Sequence, residues 1–462
     1  MAIFTKLNLI LSSTKLLLVL FTLMFVFNSN FTNAKKNLGL IGQEGINLTI
    51  NSNPLFNITN SKTKIDNEEY SDFTNDIVSI KDELNVESEL LSTVQGKFIP
   101  ISGNVNELNS FFNALKGSRG NKIRIAHYGD SILLGDVITE NLRQNLQEKY
   151  GGDGIGFLSI MPDDIQMKRS IRQTVSGSWV QGSMTTGNRS HLPIGISGSS
   201  AQATSNSKIK YETTKFMRTS RSFNTVRVFY TNTSYSSSIS YSFGDGKVIT
   251  KKLMPGTGVK ELILTSTNLE TTLEIDYGGA AGTYFFGISL ETGNGIYVDN
   301  FSFKGDSGVS LTNIDQNIIK GFDDYLNYKL IIINFGINAT TLPATSLIWY
   351  KNKMLKVINH FKKAIPDASI LVVSVGDKSI KTNSRFVTDP KVELLIKLQE
   401  DLAKEANVAF WNLFDAMGGR NSMEKWVNAG PPLALMDYVH LTSLGGKIVA
   451  DLLTQALMKE IR

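Results

Sequence analysis

Residues that can carry out acyl transfer occur at widely separated places in this 462-residue chain. Ser131 lies in the stretch His127–Asp136, between an alternating run and a helical one. Asp437 and His440 stand three residues apart near the C-terminus. A hydroxyl, an imidazole and a carboxylate are the groups of a serine nucleophile, its base and the residue that orients the base. This spacing lets the carboxylate hold one imidazole nitrogen and leaves the other for the serine.

Two interpretations fit the Ser131 turn by itself. The strand Lys122–Ala126 breaks at a glycine and the chain resumes as the helix Val137–Leu146, so the turn is an exposed tip where helix-start N–H groups can receive negative charge. Alternatively, Asp130 and Ser131 merely cap that helix. Asp130 adjoins the serine and cannot easily reach the far side of His440, so it is predicted to anchor the turn.

An ester-cleaving site also needs hydrogen-bond donors for the oxyanion. The tight turn Gly336-Ile337-Asn338 follows a predicted strand and ends in an amide donor. The segment Gly195-Ile196-Ser197-Gly198 is flexible enough to aim a backbone N–H into a site. Together with Asp437 and His440, these turns favour a nucleophile over a cap at Ser131.

The remaining histidines and the composition exclude several classes of function. His127 is predicted to be a packed core residue, His191 a solvated loop residue and His360 a helix surface residue. No two histidines have the spacing of metal ligands, so neither a metal nor a cofactor is predicted. The absence of Cys excludes disulfides and thiol catalysis. The net charge of +5 comes from scattered Lys and Arg, which argues against a nucleic-acid partner.

The elements that must position these residues alternate between strand and helix near both ends of the chain. A helix over Val105–Leu115 precedes the first strand, and the alternation returns after residue 314. Strand-helix alternation predicts a doubly wound α/β domain with a parallel sheet. In this second part the predicted strands are Lys329–Phe335, Ser369–Val375 and Val408–Leu413, and the predicted helices are Thr345–Ala364, Lys391–Ala406 and Leu444–Ile461.

A different pattern occupies the middle of the chain. Short runs rich in Val, Ile, Thr, Tyr and Phe fill residues 208–290, with a hairpin turn at Gly244-Asp245-Gly246, and predict an inserted antiparallel β-sandwich. The glycine cluster 151–156 is predicted to be a helix stop and loop, because it lacks the Lys-Ser/Thr ending of a phosphate-binding loop. The predicted layout is therefore an α/β domain over 101–200 and 311–462, interrupted by a β-sandwich over 201–310.

The N-terminus carries a targeting signal. Lys6 and Lys15 precede the apolar run Leu16–Phe27, and a polar segment then ends at Ala34. This layout predicts a signal peptide over residues 1–34 and export to the periplasm, the cell envelope or the outside. An uncleaved membrane anchor is the alternative. Residues 35–100 are predicted to be a linker. No later run is long and apolar enough to span a bilayer, so the membrane is contacted only through this N-terminal segment.

The polar turns also resemble, in order, the four motif blocks of the SGNH (GDSL-like) hydrolases. The blocks are Gly129-Asp130-Ser131-Ile132, Ile196-Ser197-Gly198, Gly336-Ile337-Asn338 and Asp437-x-x-His440. The resemblance implies a three-layer α/β/α fold, with Ser131 as nucleophile, His440 as base and Asp437 as orienter. It also implies an oxyanion hole from the Ser131 N–H, the Gly198 N–H and the Asn338 side chain.

The sequence departs from the family pattern at two positions. Ile132 replaces the usual Leu, which is a mild apolar exchange. Ala339 stands where the family usually has Asp or Glu after the Asn, so the residues that support the Asn338 turn are not evident from the sequence.

The layout further resembles exported SGNH esterases that remove O-acetyl groups from peptidoglycan, in which the insert is similar to a jelly-roll-like carbohydrate-binding module. The resemblance implies a cofactor-free esterase whose partner is an acylated polysaccharide, with peptidoglycan expected. Two alternatives stay open: a polysaccharide O-acetyltransferase that uses the same triad, and a non-catalytic glycan-binding protein of the envelope.

Overall fold

The computed structural model describes residues 96–461, so the predicted signal peptide and most of the predicted linker lie outside the described residues. No helix between residues 96 and 461 is both long and apolar enough to cross a membrane. The strands of the described part are β1 (Ser102–Gly103), β2 (Lys122–Gly129), β3 (Asp153–Ser159), β4 (Ile171–Ser176), β5 (Trp179–Ser183), β6 (Ser199–Ala203), β7 (Lys208–Thr213), β8 (Phe223–Thr231), β9 (Ser238–Phe243), β10 (Ile249–Lys252), β11 (Lys260–Glu270), β12 (Thr272–Asp276), β13 (Tyr284–Thr292), β14 (Gly295–Ser302), β15 (Tyr328–Asn334), β16 (Ser369–Val373), β17 (Ser379–Thr382), β18 (Arg385–Thr388) and β19 (Ala409–Trp411).

The helices begin at polar caps where the sequence supplies them. The Asp315, Asp389 and Thr442 side chains each accept a hydrogen bond from a backbone N–H in the first turn of the helix that follows. These α-helices are α1 (Asn109–Lys116), α2 (Thr139–Tyr150), α3 (Gln316–Leu326), α4 (Leu347–Ala364), α5 (Pro390–Glu405), α6 (Leu413–Met417), α7 (Ser422–Val427) and α8 (Ser443–Glu460).

A six-stranded sheet organises the α/β part, in the order β1-β19-β16-β15-β2-β14. All neighbours pair in parallel except β1, which runs antiparallel to β19. The central strands β15 and β16 of this sheet are buried apolar runs, because helices cover both faces of a parallel sheet. Helix α2 packs on β14 and α8, while α1 packs on β15 and β16. The predicted α/β domain with a parallel sheet is therefore confirmed, and the turn that carries Ser131 follows the carboxyl end of β2.

The middle of the chain forms two antiparallel sheets, with strand orders β10-β9-β12-β7-β4 and β11-β8-β13-β6-β5; β3 also pairs with β13. Buried side chains from both sheets share one hydrophobic cluster, among them Tyr211 and Ile275 from the first and Val228 and Phe285 from the second. Strands β7 to β13 match the predicted runs, and β9 and β10 form the predicted hairpin. The jelly-roll topology stays a prediction.

The structure differs from the predicted layout at both ends of the insert. Antiparallel strands already begin at Asp153, before the predicted boundary at residue 201. The glycine cluster 151–156 is largely part of strand β3 and not a loop. Its glycines allow β3 to lie close to the neighbouring backbone, since a Cβ on Gly154 would lie 2.4 Å from the Leu290 carbonyl oxygen. At the other end, Gly295–Ser302 lies inside the predicted insert of 201–310 but pairs in parallel with β2.

Buried charges join the parallel and antiparallel parts. The Arg124 guanidinium on β2 binds Asp299 of β14 at 2.7 and 2.9 Å and also pairs with Glu291 of β13. The Asp299 carboxylate further accepts hydrogen bonds from the Tyr328 hydroxyl (2.7 Å) and the Phe157 backbone N–H (2.8 Å). Each Asp299 oxygen is therefore satisfied, and strand β13 of the insert is tied to the sheet that carries the candidate site.

Candidate active site

The turn after β2 presents Ser131 at the carboxyl edge of the parallel sheet, where open α/β sheets place their ligands. A short 3₁₀ helix, Ser131–Asp136, starts there, and the Asp130 side chain accepts its Ile132 N–H at 3.0 Å. Gly129 lacks the space for a side chain, since a Cβ would lie 2.8 Å from the Asn334 carbonyl oxygen. The sharp turn therefore depends on that glycine and on the Asp130 cap.

Three predicted site residues meet at this turn. The Ser131 Oγ lies 2.8 Å from His440 Nε2, and His440 Nδ1 lies 2.7 Å from Asp437 Oδ2. The other Asp437 oxygen accepts the backbone N–H groups of Val439 (2.9 Å) and His440 (3.0 Å). Hydroxyl, imidazole and carboxylate thus form one hydrogen-bonded chain, which can move a proton from the serine to the histidine.

Electrostatics keep the Asp437 carboxylate ionised. Partial burial acts to raise its pKa, but the hydrogen bonds from the His440 backbone and ring and from the Val439 N–H outweigh burial and lower the pKa below its ordinary value. An ionised carboxylate stabilises the imidazolium that forms when His440 accepts a proton.

A hairpin that the sequence analysis missed supports the Asp437–His440 loop. Strands β17 and β18 pair antiparallel, and Phe386 of β18 stacks on Tyr438 with ring centroids 3.5 Å apart. The Ser379 N–H donates to the Tyr438 carbonyl at 3.0 Å, and the Leu435 N–H closes the loop on the His440 carbonyl at 2.8 Å. The hairpin turn is Asn383-Ser384, with both residues at positive φ. Those two residues, between short alternating runs, were its only sequence signal.

Asp130 connects the serine turn to the Asn338 turn. Its second carboxylate oxygen accepts the Gly336 and Ile337 N–H groups at 3.0 and 3.1 Å. Burial raises its pKa to about 6, although the three backbone hydrogen bonds and the nearby His440 act in the opposite direction. Asp130 has no hydrogen bond to His440 in the described part of the chain, and its contacts are those of the predicted anchor.

Asp130→Asn is expected to lower the free energy of unfolding by about 1–3 kcal/mol. Three backbone N–H groups donate to the two oxygens of the Asp130 carboxylate, and an amide has only one acceptor oxygen. The pH dependence gives a second readout. Because the pKa in the folded state is raised from 3.8 to about 6, protonation stabilises the parent fully below pH 3.8, and this contribution is lost as pH rises through about 6. Urea unfolding between pH 4 and 7 should show the parent losing stability relative to the variant. Parallel curves would contradict the raised pKa, and equal free energies of unfolding in parent and variant at pH 7 would contradict the anchoring role.

Two of the three predicted oxyanion donors, Gly198 and Asn338, have a hydrogen-bond partner within the protein. The Gly198 N–H donates to the Gly195 carbonyl at 2.9 Å, and a Cβ on Gly198 would lie 2.3 Å from the Phe303 ring. The Asn338 side-chain amide donates to the Asp306 carbonyl at 2.8 Å. Neither donor bonds to Ser131 within residues 96–461, so their part in an oxyanion hole stays a prediction.

Two other residues support the Asn338 turn where Ala339 departs from the family pattern. The Thr340 hydroxyl donates to the Ile337 carbonyl at 2.6 Å, and Lys378 Nζ donates to that hydroxyl at 2.7 Å. Burial lowers the pKa of Lys378, the nearby Asp389 acts to raise it, and Lys391 acts to lower it. Sequence analysis missed Lys378 because it stands 38 residues from Thr340 and belongs to no motif.

Lys378→Met is expected to lower kcat for a small acetyl ester about fivefold with little change in KM, because the Asn338 turn loses a hydrogen bond worth about 1 kcal/mol. Steady-state kinetics of the purified chain measure both constants. Lys397→Met, at an exposed position on α5, is the matched control and should leave both constants unchanged. An unchanged kcat in Lys378→Met would show that the turn does not need this support.

The other histidines lie outside this chain of hydrogen bonds. His127 is buried, as predicted; its Nδ1 lies 3.0 Å from the Thr139 hydroxyl, and burial lowers its pKa to about 3, which keeps the ring neutral. His191 is exposed in its loop, as predicted. His360 differs from the predicted surface residue: it is partly buried, with Nε2 2.8 Å from the Ile314 carbonyl oxygen. Helix α3 covers it, an element the sequence analysis did not identify.

Comparison with known proteins gives a likeness in structure alone. No protein-family model matches the chain, and no curated protein matches it. A solved structure described as a peptidoglycan O-acetylesterase in action superposes with a TM-score of 0.64 at 19% identity, covering 78% of this chain and 99% of that one. A putative GDSL-like lipase from Parabacteroides merdae covers 35% of this chain and 72% of its own at 17% identity, and its TM-score of 0.28 carries no argument.

The superposition covers 78% of the chain, and neither the parallel part nor the antiparallel part contains that share of the residues. The matched region therefore includes both parts. The likeness therefore concerns the interrupted arrangement and not the parallel sheet alone. The chain shares its fold with that solved structure, described as a peptidoglycan O-acetylesterase, over both the parallel and the antiparallel parts.

Proposed function

We propose that this protein is a serine carboxylic-ester hydrolase that releases O-acetyl groups from a polysaccharide of the cell envelope. The observation that carries the proposal is the hydrogen-bonded chain Ser131–His440–Asp437, with distances of 2.8 and 2.7 Å, at the carboxyl edge of the parallel sheet. A serine paired with an imidazole that a carboxylate orients is the arrangement of acyl-transfer catalysis.

The proposed reaction begins when the Ser131 Oγ attacks the acetyl carbonyl and His440 Nε2 accepts its proton. Asp437 holds the imidazolium through Nδ1. The Ser131 and Gly198 N–H groups and the Asn338 amide stabilise the oxyanion. For this the Gly198 N–H exchanges its Gly195 carbonyl partner for the oxyanion, and the Asn338 amide uses the N–H that it does not donate to Asp306. His440 then gives its proton to the departing sugar hydroxyl, and water, deprotonated by His440, releases acetate from the serine.

The substrate class and the location belong to the same proposal. The structural relative is described as acting on peptidoglycan, so O-acetylated peptidoglycan is the first substrate to test. The apolar run Leu16–Phe27, preceded by Lys6 and Lys15, supports export of the mature protein out of the cytoplasm. The inserted antiparallel sheets are proposed to be a jelly-roll-like carbohydrate-binding unit that brings the polymer to the site.

The test is acetate release by the purified chain from O-acetylated peptidoglycan, with acetylated xylan in parallel. We expect release from peptidoglycan by the parent and none above background by Ser131→Ala, and we expect a serine-directed phosphonate to label the parent alone. A parent that releases no acetate and takes no label would favour the non-catalytic glycan-binding alternative. Acetyl groups recovered on an added glycan acceptor, in place of free acetate, would favour the acetyltransferase alternative.

A further inference from the structure

Two consecutive residues at the start of the hairpin of β17 and β18 contact opposite sides of the candidate site. Lys378 Nζ donates at 2.7 Å to the hydroxyl of Thr340, which supports the Asn338 turn. The backbone N–H of Ser379 donates at 3.0 Å to the carbonyl of Tyr438, in the loop that carries the proposed base. These two residues therefore join the turn of a proposed oxyanion donor to the loop of the proposed base.

Tyr438 has a strained backbone conformation at the centre of that loop. Its φ of 60° lies in the left-handed region, which a residue with a large side chain adopts only where its surroundings hold it there. The Phe386 ring of β18 lies nearly parallel to the Tyr438 ring, at 8° and with centroids 3.5 Å apart. Since Tyr438 stands between Asp437 and His440 in the chain, this stack fixes the backbone that carries both side chains.

The base of the hairpin is anchored independently of these contacts. One oxygen of the buried Asp377 carboxylate accepts the Lys378 N–H at 2.9 Å and the Thr388 hydroxyl at 2.8 Å, so it joins the beginning of β17 to the end of β18. The other oxygen accepts the Met423 N–H of α7 at 2.8 Å. The hairpin is therefore held to α7 and can serve as a fixed reference for the two turns that it contacts.

Asp130 closes these contacts into a ring around the site. Its carboxylate adjoins Ser131 in the chain and accepts two backbone N–H groups of the Asn338 turn. The ring continues through the hairpin to His440 and returns to the serine through the 2.8 Å hydrogen bond between His440 Nε2 and Ser131 Oγ. That last bond is the one that changes during the proposed reaction, so the other contacts set the distance across it.

We propose that the hairpin of β17 and β18 is a clamp that sets the position of His440 relative to the serine turn and the Asn338 turn, with Phe386 and Lys378 as its positioning residues. The inference rests on the proposed function, because it concerns the geometry of that reaction. The two residues are links in series, since each joins one side of the site to the hairpin. Loss of either link leaves the two sides free to shift, and loss of the second adds little.

Steady-state kinetics of the purified chain with 4-nitrophenyl acetate test the clamp. Phe386→Ala should lower kcat about tenfold with KM unchanged, because a displaced base slows proton transfer without altering substrate binding. Phe386→Tyr keeps the stacked ring and should retain the parent kcat. Ile380→Ala is the matched control and should also retain it, because Ile380 is exposed on the opposite face of the hairpin from Phe386.

A double variant tests whether the two links act through one hairpin. Independent supports would make the losses of Phe386→Ala and Lys378→Met multiply to about 50-fold, whereas links in series predict a loss of about tenfold in the double variant. A loss of about 50-fold there, or a parent kcat in Phe386→Ala, would overturn the clamp. Circular dichroism confirms that each variant is folded, and Phe386→Leu, which keeps the apolar bulk, takes the place of an alanine variant that does not fold.

A crystal structure of Phe386→Ala gives a readout that needs no substrate. We expect Tyr438 to leave the left-handed region and His440 Nε2 to lie beyond hydrogen-bond reach of the Ser131 Oγ. Unchanged positions of both residues would overturn the clamp. The proposed function fails separately, when the parent releases no acetate, and the crystal structure then still shows whether Phe386 holds the loop.

Discussion

His440→Ala should lower kcat for 4-nitrophenyl acetate by about 10⁴-fold, because no other group in the described site can take the serine proton. The imidazole is the single link between Ser131 and Asp437, with Nε2 2.8 Å from the serine Oγ and Nδ1 2.7 Å from the carboxylate. Steady-state kinetics measure the loss, and thermal unfolding should show an unchanged midpoint, since the side chain is one-third exposed.

His191→Ala is the matched control for this prediction, because His191 is an exposed loop histidine. It should retain parent activity. Asp437→Ala should cost less than His440→Ala, since the Asp437 side chain is 46% exposed and water can partly replace it. A His440→Ala variant with a kcat within tenfold of the parent would remove the basis for the proposed mechanism.

Asp299→Ala should lower the free energy of unfolding by about 3–5 kcal/mol, the usual cost of removing one partner from a buried ion pair. The variant leaves the buried Arg124 guanidinium with Glu291 and the Ser289 hydroxyl as partners. It also takes the acceptor from the Tyr328 hydroxyl and the Phe157 N–H. Equilibrium urea unfolding of the purified chain measures the loss.

An exposed ion pair gives the control for this second prediction. Lys320 and Asp324 are paired at 2.6 Å on α3 with side chains 62% and 58% exposed. Asp324→Ala should therefore change the free energy of unfolding by less than about 1 kcal/mol. Asp299 is completely buried. Equal losses of unfolding free energy in the two variants would therefore contradict a stabilising role for the buried ion pair.

Features that depend on local pattern were predictable from the sequence. Lys329–Phe335 is a continuous apolar run, and the structure has the buried parallel strand Tyr328–Asn334 there. The runs from residue 208 to 290 alternate with period two, and β7 to β13 follow them closely. The four polar turns were located by motif, since each depends on a few adjacent residues.

Features that depend on distant partners were not predictable. By its residue types, Gly295–Ser302 resembles one more strand of the sandwich. Its place in the parallel sheet depends on the ion pair between Asp299 and Arg124, which lies 175 residues earlier in the chain. Lys378 and the hairpin of β17 and β18 are short polar elements whose role appears only through contacts with Thr340 and Tyr438. Neither their composition nor their spacing distinguishes them from a surface loop.

The interrupted sheet also sets an order in time for a chain that is still being synthesised. Ser131 and His440 are 309 residues apart, which at about 5–20 residues per second separates their synthesis by roughly 15–60 s. The neighbours of strand β2 in the sheet, β14 and β15, are synthesised only after the whole antiparallel segment. Under the proposed mechanism, the nascent protein therefore carries Ser131 without its base until the ribosome has almost reached the last helix, and a chain released earlier cannot form the Ser131–His440–Asp437 hydrogen bonds.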